Sequence, residues 1–292
     1  MIVGICGLGF VGKAIWSFMQ NKDMIAEVVV YDKYKKCNDK QGSQGKQDKQ
    51  GSQGKQGSQD NDNILEALLP AKMIYICLPT PYVESRQTYN TDELDNTLYL
   101  LNELKYTGII LIKSTVLPLY CETMNNTFPA LTIIHNPEFL SANTAVQDFS
   151  EQTHIILGYT KYSQPSTAIV ESFYKTLFPQ ALISITTAST SAMTKLACNS
   201  YYATKVQFFT EIFLLCNKIQ VEFHDVKDLM LNNHWINPMH TNVPGRDGRI
   251  SFGGACLPKD IKALSQFMQT QNSCNGVLEA VIQERNTMRP SE

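Results

Sequence analysis

Residues 2–12 are Ile-Val-Gly-Ile-Cys-Gly-Leu-Gly-Phe-Val-Gly, and they determine how the N-terminal half of the chain folds. A short apolar run is followed at once by Gly7, Gly9 and Gly12, and then by apolar residues at helical spacing. In this setting the first glycine allows a tight turn, the second lets the backbone approach a pyrophosphate, and the third permits close packing of helix on strand. We therefore predict a strand, a dinucleotide-binding turn and a helix; a plain strand-to-helix turn is the less favoured alternative.

The next apolar run, residues 28–31, is followed by a carboxylate. Asp32 stands about twenty residues beyond the glycines, where a carboxylate accepts hydrogen bonds from the adenosine ribose and disfavours a 2′-phosphate. This position favours NAD over NADP as the cofactor. Lys33, Lys35 and Lys36 follow directly, and their charge would soften the discrimination.

Further apolar runs extend this unit into a sheet. They lie at residues 73–78, 109–112, 132–134 and 154–157, and helical or loop stretches separate them. Such alternation is typical of a parallel sheet covered by helices on both faces. We expect a doubly wound, Rossmann-type α/β domain that binds NAD over residues 1–187.

A polar segment at residues 38–63 interrupts this domain. It contains only residues such as Gly, Ser, Gln, Lys, Asp and Asn, in near-repeats of Lys-Gln-Gly-Ser-Gln-Gly. Because it has nothing to bury that would offset the entropy of ordering it, we expect a disordered surface insertion. A tolerated loop expansion is favoured over a partner-binding arm.

Residues 188–292 are predicted to form a helical domain. We expect a long central helix from about residue 189 to residue 231, and shorter helices at 258–268 and 277–286. Packing within one subunit and a dimer contact explain the apolar stripe of the long helix equally well. The stripe comprises Met193, Leu196, Ala197, Val206, Phe209, Ile212, Phe213 and Leu215.

Composition limits the partners and the location. A net charge of −2 and a pI near 6.2 leave no basic field for a nucleic acid or an anionic membrane surface. The eight cysteines show no CxxC pair and no zinc-ligand spacing, which is typical of reduced thiols and predicts no metal site. With no basic leader and no apolar run of membrane-spanning length, we expect a cytoplasmic protein.

The most informative stretch is residues 252–260, Phe-Gly-Gly-Ala-Cys-Leu-Pro-Lys-Asp. Pro258 suits the first turn of a helix, so Cys256 would lie at the helix N-terminus. There the helix dipole and nearby Lys259 would lower the thiol pKa and favour the thiolate. Asp260 follows four residues on and would lie near the same thiol. A small buried cysteine is the default interpretation for the other seven, and the less favoured one for Cys256.

Other polar side chains fall where elements meet. Lys195 and Asn199 are four residues apart, so one helix face would present an ammonium and an amide to a developing oxyanion. Thr80, Thr115 and Glu138 follow three predicted strands, at the edge where open α/β sheets bind ligands. Glu138 would serve as a base and Thr115 as a hydroxyl donor, although each taken singly suits an ordinary turn as well.

Together these stretches resemble the UDP-glucose/GDP-mannose dehydrogenase family. The similarity rests on residues 7–12, Pro-Thr-Pro at 79–81, Lys-Ser-Thr-Val at 113–116, Asn-Pro-Glu-Phe-Leu at 136–140, the Lys195 and Asn199 pair, and residues 252–260. The resemblance implies oxidation of a hexose C6 alcohol to the acid in two hydride transfers to NAD, with UDP-glucose as the default nucleotide-sugar substrate. It also implies a homodimer through the central helix.

The resemblance assigns roles by matching position. Cys256 would hold a thiohemiacetal and then a thioester, while Lys195 and Asn199 would stabilise negative charge on oxygen. Asp260 with a water would assist proton removal, and Glu138 with Thr115 would act in proton transfer and thioester hydrolysis. Cofactor contacts would come from Gly7, Gly9, Phe10, Val11, Gly12, Asp32, Lys33, Thr80 and Thr115. Substrate contacts would come from Glu138, Phe139, Leu140, Lys195, Asn199, Phe252 and Gly253.

Three departures from the family pattern bear on activity. Ala142 and Ala192 stand where the family commonly has glutamates. The chain also stops near Pro290, as in short members that lack a second nucleotide-binding domain. Two alternatives therefore stay open: an impaired nucleotide-binding relict, and a two-electron β-hydroxyacid dehydrogenase, which has no need of a placed cysteine.

Overall fold

The computed structural model describes residues 1–34 and 65–290, so the predicted insertion at 38–63 lies outside the described residues. Two compact units are found, Met1–Thr80 with Thr91–Ala192, and Pro81–Asn90 with Met193–Glu292. We keep residues 1–187 and 188–292 as a proposed division into domains. The contacts place the short segment 81–90 with the second unit.

The first unit is built on a sheet of seven strands. Its strands are β1 (Ile2–Cys6), β2 (Glu27–Tyr31), β3 (Met73–Ile76), β6 (Ile109–Ile112), β7 (Thr132–His135), β8 (His154–Tyr159) and β9 (Leu182–Thr187). Their order is β2-β1-β3-β6-β7-β8-β9. Neighbouring strands are parallel except β7 and β8, which are antiparallel, so β8 and β9 run against the other five.

Helices cover both faces of this sheet, as the continuous apolar runs predict. They are α1 (Phe10–Met19), α2 (Asp92–Glu103), α3 (Tyr120–Thr127), α4 (Ala145–Ser150) and α5 (Thr167–Leu177), with 3₁₀ turns at Glu66–Leu68 and Gln164–Ser166. Helices α1, α4 and α5 pack on one face, through residues such as Ile15, Phe149 and Phe173. Helices α2 and α3 pack on the other, through residues such as Leu94, Leu98 and Cys121. The predicted doubly wound α/β fold is confirmed.

The described part of the second unit consists of helices, one hairpin and an irregular stretch at residues 233–256. Its elements are the hairpin strands β4 (Tyr82–Val83) and β5 (Thr88–Tyr89), most of α6 (Ala188–Ile219), α7 (Phe223–Asn232), α8 (Leu257–Thr270) and α9 (Gly276–Met288). Two small apolar clusters form its core. One joins Ala203, Phe252, Ile261 and Val281, and the other joins Phe209, Cys216, Phe223 and Val243.

The long central helix is present but ends earlier than predicted. It runs for 32 residues and stops at Ile219, whereas the apolar spacing predicted one helix to about residue 231. Gln220 adopts a left-handed φ of 59°, and the N–H of Val221 donates to the carbonyl oxygen of Cys216 at 2.9 Å. This six-residue closing bond is a common way to end a helix. A second helix, α7, then begins behind Glu222, whose carboxylate accepts from the N–H of His224.

Along residues 1–34 and 65–290, no helix combines the length and the apolar character that crossing a bilayer requires.

Candidate active site

The glycine turn between β1 and α1 has little room for side chains. Gly7 has a φ of 94°, and a Cβ there would lie 2.8 Å from the carbonyl oxygen of Cys77. A Cβ on Gly12 would lie 1.9 Å from the carbonyl oxygen of Gly7, far inside ordinary contact. By contrast, a Cβ on Gly9 would meet nothing within 4 Å. The open position is the one at which a pyrophosphate would approach the backbone, ahead of Phe10 and Val11 in the first turn of α1.

Asp32 is tied to this turn. Its Oδ2 accepts a hydrogen bond from the N–H of Leu8 at 2.6 Å, and its Oδ1 accepts one from the N–H of Tyr34 at 3.0 Å. The carboxylate therefore lies beside the glycines, where the ribose of a dinucleotide would reach it. Lys33 is engaged elsewhere, because its Nζ forms an ion pair with Glu93 at 2.8 Å. That pairing offsets the share of Lys33 in the charge expected to soften the preference for NAD, while Lys35 and Lys36 lie outside the described residues.

The loops after β3 and β6 are joined by hydroxyl groups. Thr80 is buried, and its Oγ1 donates to the carbonyl oxygen of Thr115 at 2.7 Å. Ser114 makes the matching contact in the other direction, since its Oγ donates to the carbonyl oxygen of Leu78 at 2.7 Å. Thr80 and Thr115, both predicted from sequence, are thus brought together at the edge of the sheet.

Glu138 is buried and held by its own loop. The carboxylate accepts a hydrogen bond from the N–H of Leu140 at 2.5 Å, which fixes the turn that follows β7. Phe139 between them is 39% exposed, so its ring is available to a ligand. Ala142, where the family commonly has a glutamate, is exposed.

Lys113 is a buried lysine close to this loop, and the sequence predicted no role for it. Lys113 is 4% exposed, and its Nζ donates to Asn136 Oδ1 at 3.2 Å and to the carbonyl oxygen of Pro137 at 3.3 Å. Asn136 in turn donates to the carbonyl oxygen of Ile156 and accepts from the hydroxyl of Tyr174. A charged residue at the end of an apolar strand was the available signal, because burial of a lysine demands such partners.

In the second unit, Cys256 lies at the N-cap position of α8, with Pro258 in the first turn. The thiol is partly exposed. Burial raises the pKa of the Cys77 thiol to about 12 and raises the pKa values of Cys6 and Cys121 further. These three cysteines therefore stay protonated near neutral pH.

Asp260 is fully buried one turn after Cys256. Its Oδ2 accepts from Asn199 Nδ2 at 2.6 Å, and its Oδ1 accepts from Lys259 Nζ at 2.5 Å and from the Tyr89 hydroxyl at 2.5 Å. The structure thus joins Asn199 to Asp260, a contact across 61 residues of sequence. Lys195 is also buried and lies one helical turn before Asn199.

Two arginines, Arg285 and Arg289, hold the loop before Cys256, and the sequence predicted no role for them. Arg285 Nε donates to the carbonyl oxygen of Phe252 at 3.3 Å, and Arg289 donates to the carbonyl oxygens of Ile250 and Ser251. Phe252 is 2% exposed and lies in the apolar core of this unit, so a substrate would meet its backbone rather than its ring. Next in the loop, Gly254 has a φ of 80°, which only glycine adopts without strain.

The glycine turn with its carboxylate places the first unit among dinucleotide-binding α/β folds. Residues 1–178 match the NAD binding domain of the UDP-glucose/GDP-mannose dehydrogenase family, and residues 189–287 match its central domain. The chain belongs to this family and carries its NAD-binding domain.

The curated relatives of this chain include UDP-glucose 6-dehydrogenases and GDP-mannose 6-dehydrogenases. The chain is 33% identical over 230 residues to the UDP-glucose 6-dehydrogenase of Rickettsia felis, which covers 76% of this chain and 49% of the relative. It is 27% identical over 217 residues to the GDP-mannose 6-dehydrogenase of Pseudomonas aeruginosa, covering 68% and 47%. This chain thus spans about half the length of these curated relatives.

Solved structures agree in fold. A UDP-glucose dehydrogenase from Pyrobaculum islandicum superposes with a TM-score of 0.77 at 18% identity, covering 99% of this chain and 68% of the other. At that identity the similarity concerns the fold alone.

Proposed function

We propose that this protein is an NAD-dependent nucleotide-sugar dehydrogenase that oxidises the C6 alcohol of UDP-glucose to the carboxylate. The observation that carries the proposal is the grouping of Asn199 and Lys259 around the carboxylate of Asp260, which lies one turn after Cys256. It provides a nucleophile at a helix start beside a fixed carboxylate and an amide, as a covalent oxidation of an aldehyde requires.

The proposed chemistry uses one thiol twice. NAD, when bound, accepts one hydride in each of two oxidations. The first oxidation converts the alcohol to an aldehyde, and the Cys256 sulfur adds to its carbonyl carbon to give a thiohemiacetal. The second converts the thiohemiacetal to a thioester, which water hydrolyses to the acid and the free thiol. Two NAD molecules are thereby reduced for each sugar.

The remaining residues hold charge or move protons in this scheme. Lys195 and Asn199 would stabilise the oxyanion, and Asp260 would accept protons through a water. Glu138 and Thr115, at the strand ends of the first unit, would serve the first proton removal and the hydrolysis. Phe139, Leu140 and the backbone of residues 252–253 would contact the sugar nucleotide.

NADH formation with purified protein tests this function. UDP-glucose, GDP-mannose and UDP-N-acetylmannosamine are compared at equal concentration, with absorbance of NADH as the readout. We expect two NADH per UDP-glucose, and loss of turnover in Cys256→Ser. Cys274→Ser is the matched control, because Cys274 is an exposed thiol and should keep full activity.

The outcomes separate the alternatives. Binding of NAD without turnover of any nucleotide sugar would establish the impaired relict, which Ala142 and Ala192 favour. One NADH per substrate, with activity kept in Cys256→Ser, would establish the two-electron alternative. A higher rate with GDP-mannose would transfer the proposal to that sugar.

We also propose a homodimer through α6. Tyr201, Phe208 and Leu215 lie seven residues apart on this helix and are 62%, 46% and 52% exposed. Their spacing places them on one helical face, which a second copy would cover.

A further inference from the structure

The hairpin of β4 and β5 is attached to α8 at two points. Lys259 Nζ lies 4.6 Å from the centre of the Tyr89 ring, and Lys262 Nζ lies 6.0 Å from the centre of the Tyr82 ring. Lys262 also forms an ion pair with Glu84 in the turn of the hairpin. Because residues 259 and 262 are one turn apart, one face of α8 binds both strands of the hairpin.

Tyr89 reaches furthest into this interface. It is 5% exposed, whereas its cross-strand neighbour Tyr82 is only partly buried. Its hydroxyl donates to Asp260 Oδ1 at 2.5 Å. Burial, and then the charge of Asp260, raise the pKa of Tyr89 well above its ordinary value, so the hydroxyl keeps its proton and remains a donor at neutral pH. Cys256 also contributes to this rise in the pKa of Tyr89.

The Asp260 carboxylate needs each of these donors. It is 0% exposed, so no bulk water solvates it, and a buried charge that loses a hydrogen bond is strongly penalised. Asn199 holds one oxygen, while Tyr89 and Lys259 share the other. Lys259 is a flexible side chain next in sequence to Asp260, whereas the Tyr89 ring is rigid and anchored in a separate strand. Tyr89 therefore holds one carboxylate oxygen from outside α8, as Asn199 holds the other.

We propose that Tyr89 is a positioning residue, which holds the Asp260 carboxylate in its working orientation beside Cys256. This role rests on the proposed function, since it concerns the chemistry at Cys256. In this role, the hairpin segment 81–90 supplies one hydroxyl group, that of Tyr89, to the site.

Tyr89→Phe tests this role, because it removes the hydroxyl and keeps the ring over Lys259. Tyr82→Phe is the matched control, since it removes the same atom from the facing position of the same hairpin. We expect Tyr89→Phe to lower kcat about 10- to 100-fold, the effect of losing one hydrogen bond to a charged group, with KM changed less than about twofold. Tyr82→Phe should leave both constants unchanged.

A second background shows whether Tyr89 acts through Asp260. In an Asp260→Asn protein, Tyr89→Phe should lower the residual kcat by less than about threefold. An unchanged kcat in Tyr89→Phe would overturn the proposal. So would an equal loss in Tyr82→Phe, or an equal further loss in the Asp260→Asn background.

The failure of the proposed function is recognised separately. If the wild-type protein reduces no NAD with any nucleotide sugar, the proposed function is wrong, and the melting temperatures of the wild-type protein, the two single variants and the double variant decide the role of Tyr89. If Tyr89→Phe lowers the melting temperature more in the wild-type background than in the Asp260→Asn background, the result supports a role of Tyr89 in positioning the carboxylate. Equal drops in the two backgrounds overturn it.

Discussion

Two glycines of the β1–α1 turn should respond differently to substitution by alanine. A Cβ on Gly12 would lie 1.9 Å from the carbonyl oxygen of Gly7, more than about an ångström inside normal contact, so α1 would have to shift off β1. Overpacking of this kind costs about 1–3 kcal/mol or more. Gly9 has a φ of −65° and open space, so alanine fits the free protein. Its gain of about 0.4–1 kcal/mol through the unfolded chain is offset by its poor preference for the N-cap position, so the stability should change little.

NAD binding should respond differently from stability. The methyl group of Gly9→Ala would stand where the pyrophosphate approaches, so we expect NAD affinity to fall at least about tenfold while the melting temperature is unchanged or slightly higher. Gly12→Ala should lower both. Calorimetric titration with NAD and thermal unfolding of the three proteins provide the measurements. Wild-type affinity in Gly9→Ala, or wild-type stability in Gly12→Ala, would refute the assignment of this turn.

Three further predictions concern other parts of the molecule. Asp32→Ala should weaken NAD binding about tenfold and NADP binding less. The variant loses the carboxylate that accepts a hydrogen bond from the N–H of Leu8 and that repels a 2′-phosphate. Parallel titrations with both cofactors measure the two affinities. Arg289→Ala should lower the melting temperature, and this deficit should shrink as pH falls below about 4. Because Arg289 lowers the pKa of Asp247, their pairing stabilises the fold above the unfolded pKa of 3.8 and is lost as the carboxylate is protonated. Thermal unfolding of both proteins at pH 7 and pH 3 measures the change. Phe208→Asp should convert the proposed dimer to a monomer in light scattering, and a wild-type monomer would remove that proposal.

The strands were predictable from sequence where burial is complete. Residues 109–112 are apolar throughout, and all four are buried, so composition alone marks β6. Strand β9 gave no such signal because its residues are exposed or only partly buried, as in Leu182 and Ile185. The reversal between β7 and β8 is a property of chain direction, which local apolar runs do not encode.

The helix break and the hairpin were hidden for different reasons. Gln220 turns the chain in a left-handed conformation usually taken by glycine, so no residue type announced the end of α6. The hairpin carries the polar residues 84–87 between two strands of two residues each, and within it only Tyr89 is buried, which left it without a periodic pattern.

The candidate site was predictable where helical spacing relates its members, or where strands end at the same edge of the sheet. Cys256 and Asp260 are four residues apart, and Lys195 and Asn199 likewise, so helical spacing alone placed each pair. Tyr89 is 171 residues from Asp260, and nothing in its own neighbourhood signals a buried carboxylate. Long-range contacts of this kind follow from topology.

The placement of residues 81–90 with the second unit sets an order of assembly during synthesis. At about 5–20 residues per second, the 171 residues between Tyr89 and Asp260 take roughly 10–30 s to translate. During that time α8 has not yet been synthesised, so the two tyrosines of the hairpin lack their partners Lys259, Lys262 and Asp260. A fragment that starts at Met193 would therefore lack the strand whose tyrosine completes the hydrogen bonds of Asp260.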